Sequence, residues 1–525
     1  MNVKASLKPV WEGDYLIIGA GPGGLQLAYF LEKANLDYLI LEAGKSSGTF
    51  FETYPRHKTL ISINKVNTGI DDPELNLRWD WNSLLTDEGK PRFTDYSEEY
   101  FPKSDVMQQY LQDFAIAYDL KIRYNTKVID ISKEDEFTVT DKDGNQFRCR
   151  YLIVATGYSQ QNLPTFEGVE YCETYGDVSL EPEDFRNQRV LIVGKGNSAF
   201  ETAEHIHDKA ASVHLWSPEP LKQSWDSHYV GHVRSVNSNL IDTYQLKAQN
   251  TINRGMVDKI IKKEKGYTAE ISYTSADEKR VIDYDRVILC TGFKGDNSLF
   301  DDSCKIELDH GGKFPLMTSE WESTNIPNLY FAGTMMHSRD YKKTMSGFVH
   351  GFRYNVAALA QILKVKNHRI EWPCYEIPAK VDEIVDNIFR RINLSSAMFL
   401  QPGYFGDVMV RNDRKFQYYD DMAMDYVLEG EIGKSQSFYT ITLEYGNSSG
   451  YELMTVDRDI EWKNAHQTGY LHPIIRYYEK GVLQREHHVF EDLENEWYLD
   501  RYIEPVREFY QQELKRHNRV AVLSR

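Results

Sequence analysis

The chain has 525 residues and a net charge of −18, from 79 acidic against 61 basic side chains. That length allows two to four domains with large cores. The acidic balance, without a run of Lys or Arg, excludes a nucleic-acid surface, and no apolar run approaches the ~18 residues that span a bilayer. Five scattered cysteines without a C-x-x-C argue against a disulfide scaffold, a zinc site and a dithiol reductase. With no signal-like apolar stretch at the start and no retention signal in "AVLSR", the cytoplasm is the expected location.

The first element predicted is a strand over Tyr15–Ile18, followed by the turn Gly19-Ala20-Gly21-Pro22-Gly23-Gly24 and a helix with Leu25, Ala28, Tyr29 and Leu31 on its apolar face. A second strand, "DYLILEAG", ends at Glu42, 18 residues after Gly24. Strand, glycine turn, helix, strand and acid in this register describe a dinucleotide cradle. The first glycine makes the turn, the second lets backbone approach a pyrophosphate, and the third lets helix pack on strand. The helix N-terminus meets the phosphates, and the acid meets the ribose hydroxyls.

Gly194-x-Gly196-x-x-Ala199 repeats the plan after the strand "RVLIVG", with a helix through Phe200 and Glu204 and a following strand "SVHLW". Here the position equivalent to Glu42 is Ser217, which would not repel a ribose 2′-phosphate and so tilts the second ligand toward NADPH, with NADH as the alternative. Lys222 and His214 are the basic residues near it in sequence. Between and after the cradles, buried strands end at Ala155-Thr156-Gly157 and Thr291-Gly292, as expected of a chain crossing between two domains near 160 and again near 290. "NIPNLYFAGT" then brings Gly333 to the end of a further strand, a place for backbone N–H groups to reach a flavin's phosphate side. Two cradles, one inserted into the other's domain, set a nicotinamide against an isoalloxazine for hydride transfer.

The expected fold is therefore α/β, with two Rossmann-like dinucleotide-binding domains and a C-terminal α+β extension. The FAD domain takes 1–160 and 289–370, the inserted NAD(P)H domain 161–288, and the extension 371–525. In the extension "SFYTITLEYG" reads as strand and the last 30 residues as an amphipathic helix. It serves as an active-site cover or as a homodimer element. Candidate cofactor-binding residues are Gly19, Gly21, Gly23, Gly24, Glu42, Phe50, Arg56, Val128, Ala155, Thr156, Gly157, Gly194, Gly196, Asn197, Ser198, Ser217, Gly333 and Phe348. Arg56, His57 and Lys58 follow the first unit, where a cation near the flavin ring would tune its electronics or simply be solvated. His205 and His207 diverge on one helix, and His487 and His488 are adjacent, so no metal site is expected. Trp79 and Trp81 in "RWDWN" are packing or substrate-lining aromatics.

The segments "FFETYPRHKTLISINK", "LRWDWNSLL", "YFPKSDVMQQYLQDFA" and "SHYVGHVRSVNSNLIDTYQLK" resemble the family of FAD-dependent oxidoreductase domain-containing protein 2, within the flavin-containing monooxygenase-like flavoproteins, over most of residues 12–370. The resemblance implies a catalytic role for Asn64 in "LISIN", facing the flavin's C4a/N5 edge; capping a turn is the alternative. It also implies a single-component FAD- and NADPH-dependent monooxygenase that uses O2 and a C4a-hydroperoxyflavin on a small aromatic or amine substrate. Interception of that species by halide, as in single-component brominases, is a second reading; Lys65 and Lys247 are its candidate steering lysines. A flavoprotein kept for protein binding is a third, against which the intact glycines of both cradles speak. One departure stands out: Phe166 and Gly168 begin the monooxygenase fingerprint F-x-G-x-x-x-H, but no histidine follows before the second cradle.

Overall fold

A computed structural model of the protein describes residues 9–245, 249–274, 277–412, 415–446 and 462–523, without side chains at 245, 462 and 517–523. Strand Trp11–Ile18 lies at the centre of the first sheet, parallel to Tyr38–Leu41 on one side and to Gln146–Val154 on the other. All three end in residues buried on both faces, as a parallel sheet covered by helices requires. The first half of Gln146–Val154 pairs with an antiparallel hairpin, Val128–Lys133 and Phe137–Asp141. Its second half pairs in parallel with Leu329–Phe331, so the chain completes the first sheet only after a long excursion.

That excursion is a second sheet. Four parallel strands run in the order Thr251–Lys262, Ser212–Ser217, Arg189–Val193, Arg286–Leu289, and an antiparallel ribbon, Tyr267–Tyr273 and Lys279–Tyr284, extends one edge. The outgoing and returning chain segments, Gln160–Gln161 and Phe293–Lys294, pair with each other as a two-stranded antiparallel link. The α/β character with two dinucleotide-binding folds is thus the observed one.

The extension forms a third, antiparallel sheet in the order Tyr375–Pro378, Lys415–Ala423, Phe405–Asn412, Ser437–Tyr445, Leu471–Glu479, Val482–His488. Helices Val381–Leu394 and Asp500–Leu523 bury Ile384, Ile388, Ile392, Val506 and Tyr510 in one core with Tyr439 and Ile441 of the sheet. The extension does not hang free. Ala397, Leu400, Tyr404, Phe405 and Ala423 belong to the same apolar core as Leu16, Ile153 and Leu359 of the nucleotide domain. Truncating a side chain such as Phe405, 1% exposed, is worth about 3–5 kcal/mol in such a setting. Losing the extension would therefore open the first domain as well.

Candidate flavin and nicotinamide site

Each cradle combines crowded glycines with an open one. Gly19 (φ 107°) and Gly194 (φ 133°) occupy backbone conformations unfavourable to side chains, and a Cβ on either would strike a carbonyl oxygen, of Ala155 at 2.7 Å and of Cys290 at 2.2 Å. A Cβ on Gly23 would lie 2.5 Å from Gly333 Cα, which brings the third strand's end against the first turn. Gly21 and Gly196, by contrast, would meet nothing within 4 Å. Both occupy the N-cap of their helices, Pro22–Lys33 and Asn197–Ile206, and neither helix has a side-chain cap. Uncapped first-turn N–H groups facing open space are the donor set that a pyrophosphate takes. The chain fits FAD and NADP at these two places.

The first cradle is closed by its acid. Glu42 Oε2 accepts from Ala20 N–H at 2.7 Å, and Oε1 accepts from Gly44 N–H at 2.7 Å and from Thr49 Oγ1 at 3.2 Å. The second is finished differently. Ser217 pairs in register with Arg254 of the neighbouring strand, and Arg254 Nε donates to Pro218 O at 3.0 Å. Lys195, between the two glycines, has its amine pushed below the ordinary lysine range by burial and by Arg254 beside it. Sequence order hides this arginine, because it comes beside Ser217 through sheet pairing and not through the loop that follows.

The remaining expected contacts divide. Thr156 Oγ1 donates to Met335 Sδ at 3.8 Å, which ties the end of strand Gln146–Val154 to the segment after Gly333; Gly157 (φ 64°) is open. Val128 is buried at the start of its strand, and Ala155 donates its N–H to Ile18 O at 2.9 Å. Phe50 is 44% exposed, against Phe51 and Tyr54. Asn197 braces the loop 231–237: its Nδ2 donates to Gly231 O (3.3 Å) and His232 O (2.8 Å), and its Oδ1 accepts from Arg234 N–H (3.0 Å). Its side chain is thereby engaged. Ser198 O accepts from Thr202 Oγ1 at 2.8 Å.

Of the side chains at residues 56–58, solvation describes Lys58 alone, and those of Arg56 and His57 are engaged within the protein. Arg56 joins the two domains, its guanidinium donating to Val178 O at 2.9 Å and its N–H to Tyr175 Oη at 3.0 Å. The His57 ring lies tilted against that of His205 with centroids 4.4 Å apart, and burial, then His205 and Arg56, drives its pKa down to about 3. It is uncharged. Lys58 is exposed and its Nζ donates to Glu52 O.

Asn64 is 1% exposed. Its Nδ2 donates to Ser97 O at 2.6 Å and Glu99 O at 3.2 Å, and its Oδ1 is buried with no partner in the protein. The backbone around it pairs with the "RWDWN" loop: Trp81 N–H donates to Ile63 O at 3.0 Å and Lys65 N–H to Trp79 O at 3.2 Å. Lys65 itself is exposed, so it does not provide the buried lysine that halide chemistry would use; Lys247 lies outside the described residues. Trp81 stacks on His350 (4.2 Å, 22°), and His350 on Phe348 (5.9 Å, 15°), at the start of helix Val349–His368. Arg234 lies 5.3 Å from the Trp81 ring and its Nη1 donates to Ile61 O at 2.7 Å. Both His350 nitrogens are buried without partners. Burial, with Arg353 and Arg234, keeps the ring neutral, so it presents one donor and one acceptor. Buried polar atoms are normally satisfied. Their clustering here suits the polar edge of a ring system such as a flavin's. Trp79 instead packs against Phe399 of the extension at 6.4 Å. No linear motif announces His350 or Arg234; only the fold joins them to Asn64.

The extension supports this region. Fully buried Gln401 accepts from Met345 N–H at 2.8 Å and donates to Ser346 Oγ at 3.0 Å and Asn355 Oδ1 at 2.7 Å. Arg339 bridges to Asp425 at 2.6 Å and Glu429 at 2.9 Å. Tyr445 of the extension also stacks on His228 of the inserted domain (4.0 Å, 14°).

Paired cradles on an inserted-domain fold define a two-dinucleotide flavoprotein oxidoreductase, and the family model described as pyridine nucleotide-disulphide oxidoreductase matches residues 16–333. More particularly, the chain belongs to the family of FAD-dependent oxidoreductase domain-containing protein 2 and uses FAD and NADP. It is 36% identical to that protein of Mus musculus over 92% of this chain and 81% of the relative, and 34% identical to that of Danio rerio over 96% and 83%. A flavin-containing monooxygenase from Stenotrophomonas maltophilia shares the fold at TM-score 0.53 and 20% identity, over 68% of this chain and 99% of that one. So does a bacillithiol disulfide reductase from Bacillus cereus, also at 0.53 and 20%, over 68% and 100%. Among the described residues no helix is long and apolar enough to cross a membrane.

Proposed function

We propose that the protein is a single-component, NADPH-dependent flavin monooxygenase that inserts one oxygen atom of O2 into a small organic substrate. The observation that carries this reading is the buried, unpartnered Oδ1 of Asn64, beside the Trp81–His350 stack. Bound FAD supplies hydride acceptance from NADPH and reaction with O2. What the chain adds is a dry, hydrogen-bonding wall. Asn64 offers an acceptor whose own amide is fixed by two carbonyls, neutral His350 offers a donor and an acceptor, and Trp81 and Phe348 exclude water from both. In such a setting an unmade hydrogen bond costs roughly 1–3 kcal/mol, enough to decide whether reduced oxygen reaches substrate or escapes as hydrogen peroxide. Tyr445 on His228 and Gln401 under Met345 support a reading of residues 371–525 as a cover for this wall. The five cysteines, all unpaired, support a reducing compartment, the cytoplasm.

The test is turnover with NADPH under 18O2. One labelled oxygen in a product, with NADPH consumption matched to it, is expected. NADPH oxidation at full rate with all label in peroxide and water, across aromatic and amine substrates, would overturn the reading.

A further inference from the structure

The inserted domain joins the first through a ribbon of two residues on each strand, so other contacts fix how the two cradles face each other. One segment, residues 228–237, makes several of them. At its start the His228 ring stacks on Tyr445 of the extension at 4.0 Å. Tyr229 Oη lies 3.3 Å from His337 Nε2, which already accepts from Lys342 N–H at 3.0 Å, so that nitrogen carries no proton and the hydroxyl donates to it. The Tyr229 ring also lies 6.0 Å from that of Phe348, the ring that stacks on His350. Five residues on, Arg234 reaches the wall itself. Its Nη1 donates to Ile61 O at 2.7 Å, three residues before Asn64, and its guanidinium lies 5.3 Å from the Trp81 centroid. The side chain is half-buried, and no carboxylate pairs with it among the described residues.

The same segment is held from its other side by the second cradle. Asn197 follows the open Gly196 as the first residue of its helix. Its Nδ2 donates to Gly231 O at 3.3 Å and His232 O at 2.8 Å, and its Oδ1 accepts from Arg234 N–H at 3.0 Å and from Asn237 Nδ2 at 3.2 Å. A side-chain amide has two N–H donors and two lone pairs, and all four are in use here. That leaves the side chain to the segment and the backbone N–H to the cradle. We propose that Asn197 and Arg234 are positioning residues for hydride transfer. Asn197 locks segment 228–237 to the helix of the second cradle, and Arg234 locks it to the wall beside the first. In that step a hydride, carrying two electrons, leaves NADPH, which becomes NADP+, and FAD is reduced. Neither side chain takes part in the exchange. Together they hold the donor's domain against the acceptor's, where a misplacement of about 1 Å can cost roughly 100-fold in rate.

The test is a double-mutant cycle on FAD-loaded enzyme with Asn197→Leu and Arg234→Met. It is read anaerobically in stopped flow as the limiting rate of flavin reduction at saturating NADPH, with NADP+ Kd by calorimetry and backbone amide exchange over residues 60–65. Each single variant is expected to lower the limiting rate about tenfold or more, with flavin content unchanged and NADP+ Kd within about threefold of wild type. The double variant should lie within about threefold of the slower single, because both changes release one segment. Exchange over residues 60–65 should quicken in both singles. Arg234→Lys keeps a donor for Ile61 O and should return rate and exchange to within about threefold of wild type. An unchanged limiting rate in either single variant, or effects that multiply in the double, would overturn the proposal. So would an NADP+ Kd raised about tenfold in Asn197→Leu alone, which would assign its amide to the nucleotide. If Asn197→Leu does not fold, Arg234→Met against Arg234→Lys decides by the same rate and Kd. Because no O2 enters the measurement, a failed 18O experiment leaves this result standing, and the reverse.

Discussion

The two cradles share a backbone plan and differ at their far ends. In each, a positive-φ glycine lies against a carbonyl of the next strand and an open glycine caps the helix. The first is then closed by Glu42, bonded to Ala20 and Gly44, whereas the second has Ser217 with Arg254 and Lys195 around it. The turn is thus repeated almost unchanged, and the two cradles differ in the side chains at the ends of the strands beside it.

The sharpest way to break the comparison is to fill each open glycine in turn. A Cβ at Gly21 or Gly196 meets no protein atom within 4 Å, and both have φ values that any residue tolerates, so the chain should fold and only the ligand should be excluded. Gly21→Val is expected to yield colourless protein with unchanged secondary structure. Gly196→Val should keep its flavin but lose reduction by NADPH by at least a hundredfold in stopped flow. Full flavin in folded Gly21→Val would remove the first assignment.

The next largest effect separates the sheet edges. Arg254→Ser should reduce the NADPH-over-NADH preference in kcat/KM about 10- to 150-fold, from the roughly 1.5–3 kcal/mol of a hydrogen bond to a charged group. An unchanged preference would return selectivity to the loop after Ser217. At the wall between the cradles, Asn64→Ala should leave flavin content intact and raise the ratio of hydrogen peroxide to product about 5- to 150-fold, for roughly 1–3 kcal/mol. An unchanged ratio would make Asn64 the brace of Ser97 and Glu99 alone.

The glycine turns and the α/β class were legible because each is a local pattern with a local cause. The strand "SFYTITLEYG" and the final helix were legible for the same reason, by periodicity. Arg254, His350, Arg234 and Gln401 were not. Each acts through a neighbour distant in sequence, and an arginine in a strand or a histidine in a helix has no signature until the sheet register is known. Sequence alone leaves Arg56 and His57 between a flavin-side cation and a solvated charge, because charge is visible there and burial is not. Lys65 was a candidate by its position beside Asn64, but a side chain adjacent to a buried one in an extended segment points the other way.

The smallest expected effect lies where the cradle helices correspond. Seven residues after the first glycine stand Gln26 in one and Glu201 in the other. Buried Gln26 is satisfied as an amide, donating to Leu85 O at 2.9 Å and accepting from Leu85 N–H at 2.6 Å. Glu201 accepts from Tyr175 Oη at 2.7 Å, and burial raises its pKa from 4.5 to about 7. The folded protein therefore holds a proton between about pH 4.5 and 7 that the unfolded chain releases. Stability from this site is present at low pH and declines as pH rises through that window, by at most roughly 1–3 kcal/mol. Glu201→Gln makes the second helix resemble the first and should remove that decline. Melting temperatures of the two proteins should then converge near pH 5, with the variant higher at pH 8. Parallel curves from pH 5 to 8 would mean that Glu201 is ionised throughout, and that the two helices differ in charge as well as in shape.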